Sequence, residues 1–315
     1  MLTGKLPPLF IERLGKIFPE ADAGGLIETF SFARPVSFRV NTLKTSAEAL
    51  IPELSRAGLS TQKVSWCPEV YILPRKDLRA LQETRAYREG ELYVQSLSSL
   101  IPVLALSPSP GDNVLDLAAA PGSKTTQIAC MMKGTGHLAA NDNNRGRFFK
   151  LKNTVELQGA ENVEFSCKPG ECFGKQFPDR FDKVLVDAQC SSEGRFRAGD
   201  EASWKFWKPA KIREMSRKQK KLLLSGLSAL KPGGSLVYST CTFAPEENEA
   251  VLDWAVRKLA GRAEICEIEF PVPNRTPGLS EWEGKAFHPS VKNAVRIFPD
   301  REMEGFFIAK VAKSG

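Results

Sequence analysis

Two cysteines occupy positions at which a thiol could act as a nucleophile. Cys190 ends the run Asp187-Ala-Gln-Cys, and Cys241 lies in Tyr238-Ser-Thr-Cys-Thr; each follows an apolar run typical of a buried strand. A thiolate attacks carbon centres readily where its surroundings lower its pKa. One such cysteine alone would be better interpreted as a small buried apolar residue. Two of them, each just beyond a strand and beside polar residues, favour a reactive pair, with Asp187 as a neighbouring acid.

A loop of small residues could hold a ligand near these thiols. The run Asp116-Leu-Ala-Ala-Ala-Pro-Gly-Ser-Lys follows another predicted strand and leads into a helix, so a ligand could approach the backbone at a helix N-terminus. It matches neither the dinucleotide fingerprint G-x-G-x-x-G nor the P-loop pattern, which favours an adenosyl sulfonium ligand without phosphates. Asp142 ends the next predicted strand, where it could accept hydrogen bonds from both ribose hydroxyls. The alternative is that Asp142 caps the following helix.

The elements that position these residues alternate as in an α/β domain. After a turn cluster at 107–112, apolar strands alternate with helices. We predict strands at 113–118, 137–141, 162–166, 181–187 and 235–240, helices at 124–132, 145–158, 212–230 and 245–259, and a final strand pair, 263–269 and 305–311, that closes the sheet. Ligands of such sheets bind at the carboxyl ends of the strands, so the thiols and the small-residue loop should meet at one edge.

The residues before this domain form shorter, mixed elements. We predict a helix at 9–18, a strand at 36–40 and a helix at 47–57. The predicted organisation is therefore a smaller α+β N-terminal domain, 1–109, followed by a Rossmann-like α/β domain, 110–315.

Composition narrows the class of protein. Forty-four Lys and Arg against 37 Asp and Glu give a net charge of +7, which favours a polyanionic partner, although many basic proteins bind no nucleic acid. The seven cysteines form no C-x-x-C pair and there are two distant histidines, so we expect free thiols and no metal site. There is no secretory signal and no apolar run of roughly 18 residues. We expect a cytoplasmic monomer without membrane contact.

Motifs in the same order along nearly the whole chain resemble the Sun/Fmu-type RNA cytosine-carbon-5 methyltransferases. The matching segments are 34–44, 93–99, 116–124, 187–194, 231–234 and 238–249, with 296–299 and 304–309 towards the end. The resemblance implies a Rossmann-like methyltransferase sheet that follows a small RNA-binding domain.

The resemblance also implies roles for the thiols. A thiolate added to carbon 6 of cytosine makes carbon 5 nucleophilic, and a base must later remove the carbon 5 proton so that the thiolate can leave. By resemblance Cys241 is the nucleophile, Cys190 assists release, and Asp187 holds the flipped cytosine. The opposite assignment of the thiols is chemically possible, because DNA cytosine methyltransferases use the thiol of a Pro-Cys motif. We expect the target cytosine to be flipped out or to lie in a loop.

The cofactor that the resemblance implies is S-adenosylmethionine. The residues that would bind it are Ala118, Ala119, Ala120, Pro121, Gly122, Ser123, Lys124, Asp142, Arg147 and Asp187. The chain departs from the family pattern at three places: Gln189 stands for a proline, Ser123 for a glycine, and Pro169 for an aspartate directed at the adenine. We also expect the C-terminal RNA-binding domain of some bacterial relatives to be absent.

The expected partner is structured RNA. Small-subunit ribosomal RNA, or the ribosomal subunit itself, is the first choice and transfer RNA the second. We predict that Arg34, Arg39 and Lys44 hold RNA phosphates, the alternative being a solvated surface. The aromatic group Trp204, Phe206 and Trp207 could shape the pocket for the base, but its spacing fits core packing equally well.

Two other kinds of protein fit part of the pattern. An RNA-binding assembly factor that keeps the fold without activity would explain Gln189 and Pro169, although both thiols and Asp187 are retained. A thiol-dependent oxidoreductase on a nucleotide-binding sheet is disfavoured, because the glycine fingerprint of such sheets is missing.

Overall fold

The computed structural model describes residues 6–19, 23–269 and 274–314. The first helices are α1 Pro8–Ile17, α2 Ala23–Glu28, α3 Ala47–Arg56, α4 Leu78–Glu83, α5 Arg85–Arg88 and α6 Leu97–Leu106. The strands among them are β1 Val36–Val40, β2 Gln62–Lys63, β3 Val70–Leu73 and β4 Leu92–Val94. These strands form an antiparallel sheet in the spatial order β2-β3-β1-β4.

The second sheet is larger and mixed. Its strands are β5 Asn113–Asp116, β6 His137–Asn141, β7 Val163–Ser166, β8 Phe181–Asp187, β9 Leu230–Thr240, β10 Ala263–Cys266, β11 Arg275–Pro277, β14 Val295–Ile297 and β15 Phe306–Lys313, while β12 Glu281–Trp282 and β13 Lys285–Ala286 form a separate hairpin. The helices of this part are α7 Ser123–Met131, α8 Arg145–Gln158, α9 Phe173–Gln176, α10 Pro209–Ala229 and α11 Glu249–Leu259.

The order of strands confirms the predicted Rossmann-like class. Across the described sheet the order is β11-β14-β15-β9-β8-β5-β6-β7, with β10 also paired to β15. The neighbouring strands β9, β8, β5, β6 and β7 are all parallel, and β15 runs antiparallel beside β9. From β5 the chain continues to β6 and β7 on one side of the sheet, and then to β8 and β9 on the other side. The strand order therefore reverses at β5. A crevice at the carboxyl ends of the strands is expected at such a point.

Helix α7 is buried between the two sheets, although much of it is polar. Polar side chains are buried where each has a partner. Thr125 Oγ1 donates to Asp116 Oδ2 at 2.7 Å, and Gln127 Oε1 accepts from Gln95 Nε2 at 2.9 Å. Arg39 on β1 donates to Thr126 Oγ1 at 3.0 Å. The helix is therefore fixed from both sides, by the large sheet and by the N-terminal sheet.

An aromatic cluster joins α1 to the loops that follow β8 and β9. The ring of Phe10 lies 5.5 Å from that of Phe30 and 4.9 Å from that of Phe196, and Phe30 lies 6.2 Å from Phe243. Because Phe196 and Phe243 come shortly after the two candidate thiols, this cluster supports the backbone of both thiol loops from behind.

Several predicted bounds were wrong in informative ways. Strand β9 begins at Leu230 rather than 235, because Leu230 already pairs with Phe181 on β8. The pairing is interrupted around Gly233, which has φ +77°, and resumes between Ser235 and Lys183. Helix α11 begins at Glu249 rather than 245. The preceding turn is held instead by Asn248, which donates to Thr242 O at 2.9 Å. The predicted closing pair, β10 and β15, does not end the sheet, because β14 and β11 extend it.

No helix within residues 6–19, 23–269 and 274–314 is both long and apolar enough to cross a membrane. Over the same residues no three potential ligands among His, Cys, Asp and Glu gather to hold a metal ion. All seven cysteines are free thiols.

A buried ion pair fixes the far side of the thiol region. Arg296 on β14 donates to both carboxylate oxygens of Glu249 at the start of α11, at 2.6 and 2.5 Å, and to Phe243 O at 2.9 Å. The side chains are 2% and 0% exposed. A buried charge that loses its partner is strongly destabilising, whereas an exposed pair contributes little.

We expect Arg296→Leu to lower the free energy of unfolding by about 3–5 kcal/mol, because Glu249 then stays buried and unpaired. Urea unfolding followed by circular dichroism measures the change. Arg79→Leu, which removes an exposed pair with Glu83, is the matched control and should have little effect. Adding Glu249→Gln to Arg296→Leu should recover part of the loss. A stability of Arg296→Leu equal to that of the control would contradict this view of the pair.

Candidate active site

The carboxyl ends of β5, β6, β8 and β9 enclose a cavity of about 610 Å³. Its wall contains most of the residues singled out in the sequence: Ala118, Ala119, Ala120, Pro121, Ser123, Lys124, Asp142, Arg147, Asp187, Cys190 and Cys241. Gly122 lies behind this wall. At φ +108° it packs so closely that a Cβ would stand 3.1 Å from Thr154 Cβ. The structure thus brings the small-residue loop and both thiols to one edge of the sheet.

The two candidate thiols face each other. Cys190 Sγ lies 3.3 Å from Cys241 Sγ, and both residues are half-buried. Ser192 adopts a left-handed backbone conformation at φ +61°, and its Oγ lies 3.6 Å from Cys241 Sγ. At this separation one proton can be shared between the sulfurs, so that either thiol can stabilise the other as a thiolate.

The surroundings make the two thiols unequal. The pKa of Cys241 is lowered, chiefly by the hydrogen bond from Cys190 and, against the effect of burial, by the charge of Arg195 and the hydroxyl of Ser192. The pKa of Cys190 is raised by the same hydrogen bond, by burial and by the negative charge on Cys241. These surroundings favour the thiolate form at Cys241 over that at Cys190.

Asp187 is held by two neighbouring elements. Lys124 Nζ, on a side chain that is 6% exposed, donates to Asp187 Oδ2 at 2.7 Å and to Ser99 Oγ at 2.7 Å. Ser239 Oγ donates to Asp187 Oδ1 at 2.8 Å. The Asp187 carboxylate is thus fixed in the cavity wall, and its charge is balanced by the ammonium group of Lys124.

At the other end of the cavity, Asp142 is not the cap of the next helix. Asn144 caps α8 by accepting from Arg147 N at 3.0 Å, so the capping alternative for Asp142 was wrong. Asp142 instead accepts from Asn144 N at 2.9 Å and from Ala120 N at 3.3 Å, and Arg147 stands 3.4 Å away. This network ties the small-residue loop to the end of β6.

Two acidic residues in the cavity wall were not singled out in the sequence. Asp116 Oδ1 is buried without a hydrogen-bond partner among the described residues, and burial raises the pKa of Asp116 to about 7. Glu171 lies on the wall two residues after Pro169, beside Gly170. The position of Asp116 at the start of the small-residue run could have suggested the first. Nothing in the sequence pattern points to the second.

Two buried glutamates hold the loop that carries Cys190. Glu193 accepts from Thr242 Oγ1 at 2.9 Å and from Phe243 N at 3.0 Å, which joins the loop to the segment after Cys241. Glu247 accepts from Ser191 N at 3.0 Å, and burial raises its pKa to about 8. Both lie inside the motifs matched above, but sequence alone does not separate such supporting carboxylates from those that line a cavity.

The loop is also fixed at Gln189, where the family pattern has proline. Gln219 on α10 donates to Gln189 O at 2.9 Å and to Glu247 Oε2 at 2.8 Å. The backbone freedom that the loss of proline introduces is thus limited by a side chain from a neighbouring helix.

The prediction that Arg39 holds an RNA phosphate was wrong, while that for Lys44, which is exposed, stays a prediction. Arg39 is 4% exposed and donates to Thr126 and to Cys130 Sγ on α7. Lys44 Nζ donates to Glu89 O at 2.7 Å and Leu157 O at 2.8 Å, in a depression that Glu89, Glu91 and Glu156 also line. Both cations bind the N-terminal sheet to the larger part of the molecule.

The structure also bears on the predictions that Arg34 holds an RNA phosphate and that the aromatic group shapes the pocket for the base. Arg34 donates to the backbone oxygens of Thr29, Asp300 and Met303, so its guanidinium is largely used within the protein. Trp204 and Trp207 pack against the aromatic cluster, as the core-packing alternative has it, while Phe206 is 79% exposed. None of these three aromatic residues lines the cavity.

This combination defines the class of the protein: an open Rossmann-like sheet of the methyltransferase type, with a small-residue loop after its first strand and a thiol pair at its carboxyl edge. The chain belongs to the family described as 16S rRNA methyltransferase RsmB/F, whose model matches residues 103–312. The model for the N-terminal domain of 16S rRNA methyltransferase RsmF matches residues 6–97. The family resemblance drawn from the motifs is thereby confirmed, while the domain boundary at residue 109 stays a prediction.

Individual relatives act on two kinds of RNA. The chain is 35% identical over 318 residues to ribosomal RNA small subunit methyltransferase F of Cronobacter sakazakii, covering 98% of this chain and 63% of that protein. It is 37% identical over 282 residues to the tRNA (cytosine(49)-C(5))-methyltransferase of Pyrococcus abyssi, covering 88% of each. The solved structure of a methyltransferase homolog protein from Pyrococcus horikoshii superposes with a TM-score of 0.79 at 32% identity, over 98% of this chain and 100% of that one. The chain thus spans less than two thirds of the first of these relatives.

We expect Cys190→Ala to raise the pKa of Cys241, because the hydrogen bond that most lowers this pKa is lost. The pH midpoint of Cys241 alkylation by iodoacetamide, followed by mass spectrometry of its peptide, should move upward by about one unit or more. Cys172→Ala removes a thiol outside the cavity and should leave the midpoint unchanged. A midpoint equally unchanged in Cys190→Ala would show that Arg195 and Ser192 suffice to set this pKa.

Proposed function

We propose that the protein methylates carbon 5 of a cytosine in RNA, using S-adenosylmethionine and a covalent bond between Cys241 and the base. The observation that carries this proposal is the pair of thiols 3.3 Å apart, beside a fixed carboxylate, in the cavity of a methyltransferase-family sheet. A second thiol would be superfluous for simple methyl transfer. Where a covalent adduct must be both formed and released, a nucleophile and a base are needed, and a second thiol can be that base.

The residues of the cavity suit S-adenosylmethionine, which supplies the methyl group as an electrophile on a sulfonium sulfur. The loop from Ala118 to Lys124 and the end of β6 at Asp142 would hold it. Asp116 Oδ1, which is buried without a partner in the described residues, offers an acceptor for a polar group of this ligand. Pro169 stands where the family has an aspartate after β7, and Glu171, two residues further on, provides a carboxylate in the same wall.

Cys241 would begin the reaction on the base. Its Sγ, present as thiolate because of its lowered pKa, forms a bond to carbon 6, and the electron pair of the carbon 5–carbon 6 double bond becomes available at carbon 5. Asp187 would orient the ring by accepting hydrogen bonds from the amino group at carbon 4. Lys124 and Ser239 keep the carboxylate in place while it does so.

Cys190 would complete the reaction. Once the Cys241 sulfur is bonded to carbon, the negative charge and the hydrogen bond that raise the pKa of Cys190 are gone. Cys190 can then lose its proton to solvent and accept the proton from carbon 5. The electron pair of the broken carbon 5–hydrogen bond re-forms the carbon 5–carbon 6 double bond. The carbon–sulfur bond breaks at the same time, and the electron pair of that bond returns to Cys241. Attack by Cys241 would thus come before proton removal by Cys190, because the attack removes the negative charge from the Cys241 sulfur.

Small-subunit ribosomal RNA is the first candidate substrate, since both family models carry that description. Transfer RNA is a second candidate, favoured by the archaeal relative, of which the alignment covers 88%. An assembly factor without activity is less well supported, because the thiol pair, Asp187 and its two partners form a complete and satisfied set.

We expect the purified protein to transfer label from methyl-labelled S-adenosylmethionine to unmodified RNA, and bisulfite sequencing to place the methyl group on carbon 5 of one cytosine. Parallel reactions with transcripts of small-subunit ribosomal RNA and with transfer RNA decide between the substrates. Transfer to neither RNA, or to an atom other than carbon 5, would refute the proposed function.

We expect the two thiol variants to fail at different steps. Cys241→Ala should abolish methyl transfer and form no adduct. Cys190→Ala should attack and methylate the base but stall before release, which leaves protein linked to RNA on a denaturing gel. Cys172→Ala, a control outside the cavity, should turn over normally. An adduct in Cys241→Ala, with none in Cys190→Ala, would require the two roles to be exchanged.

A further inference from the structure

A second cavity, of about 190 Å³, adjoins the active-site cavity. Val94, Gln95 and Ser96 line both cavities, so the segment from β4 to α6 is a wall that they share. The remaining wall comes from the segment before β1, the turn before α4, the loop after Cys190 and the turn before β15. If a base occupies the first cavity, its sugar–phosphate chain must pass the mouth of that cavity, next to the second one.

The charges around the second cavity are predominantly positive. Arg34, Arg75 and Arg197 line it, together with Glu302 and Glu304. Glu304 also faces Arg195, a residue of the active-site wall, with Nε and Oε2 3.7 Å apart. Four arginines therefore converge on two glutamates at the junction of the cavities, and an anion there would relieve the repulsion between the guanidinium groups.

Two of these arginines are available to a ligand. Arg34 is committed to backbone carbonyls. The side chains of Arg75 and Arg197, by contrast, are exposed and make no hydrogen bond or ion pair with any residue in the described part of the chain. They come from different parts of the molecule, one from the turn before α4 and the other from the loop that carries Cys190. An anion held by both would connect these two parts.

We propose that Arg75 and Arg197 bind the RNA backbone beside the target cytosine, with a phosphate in the second cavity. The inference rests on the proposed function, because it takes the polyanion to be RNA whose base enters the first cavity. A guanidinium presents several N–H donors in a plane and suits a phosphate oxygen pair. Phosphate contacts carry little sequence information, so this site positions the strand and leaves the choice of base to the active site.

The test measures RNA affinity rather than turnover. Binding of an unmodified, fluorescently labelled transcript of small-subunit ribosomal RNA is followed by anisotropy over a series of salt concentrations. We expect Arg75→Gln/Arg197→Gln to bind about tenfold more weakly at low salt. The slope of log affinity against log salt should fall by about 1 for each phosphate that is no longer neutralised by an arginine. The matched control is Arg262→Gln, which removes an exposed arginine outside both cavities.

The outcomes separate this inference from the proposed function. Arg75→Lys/Arg197→Lys keeps the charge and should restore most of the salt slope. Unchanged alkylation of Cys241 in the Gln variant shows that the active site has kept its structure.

If the Gln variant binds RNA like Arg262→Gln, the inference fails even when the wild-type protein methylates RNA. If the Gln variant loses affinity while the wild type transfers no methyl group, the phosphate site stands and the proposed function fails. Competition by polyglutamate, with RNA binding unaffected by the Gln substitutions, would assign the cavity to an acidic protein segment and overturn the inference.

Discussion

The arrangement of the site depends on the ion pair between Lys124 and Asp187. A buried ammonium group is stable only with a close partner, and Lys124 has two, Asp187 and Ser99. Lys124 lies in the first turn of α7, the helix after β5, and Asp187 ends β8. Ser239, which donates to the same carboxylate, lies on β9 two residues before Cys241. One carboxylate therefore fixes the relative positions of the small-residue loop, the loop of Cys190 and the strand of Cys241. The parallel order of β5, β8 and β9 brings these groups to one edge, and the ion pair holds them together there.

Two chemically identical thiols differ because their surroundings differ. Cys241 has a hydrogen-bonding thiol, the charge of Arg195 and the hydroxyl of Ser192 beside it, and these lower its pKa. Cys190 has the Cys241 sulfur as its main partner, and burial and the carboxylate of Glu247 act in the same direction to raise its pKa. The structure thus favours the negative charge on Cys241 over Cys190. The roles that we propose for the two residues rest on this difference, which depends on loops whose shape is set by Glu193, Glu247 and Gln219.

The sequence predicts strand ends far better than it predicts which charged groups remain available. The rule that ligands bind at the carboxyl ends of parallel strands places Asp142, Asp187, Cys190 and Cys241 correctly around one cavity, because each follows an apolar run. The same sequence misleads for Arg39. In β1 the alternation Val-Ser-Phe-Arg-Val indicates one polar face, but that face packs against α7, and all five residues are buried. Helix α7 in turn has no apolar stripe, since both of its sides are covered and its polar groups are paired. Such pairings join residues far apart in the chain, and no local pattern encodes them.

The packing of the N-terminal sheet also limits where the RNA substrate that we propose could approach. Arg39 and Asn41 bind this sheet to α7 and α8, so the face that bears these two residues is closed to a ligand. The basic groups that remain at the cavity lie at the rim of the sheet, in the turn before α4 and in the loop after Cys190. Because Lys124 lies in the first turn of α7, the N-terminal sheet that packs on this helix also supports the ion pair with Asp187. The contact of RNA with the N-terminal part that we propose would therefore be linked to the geometry of the Asp187 carboxylate through a single buried helix.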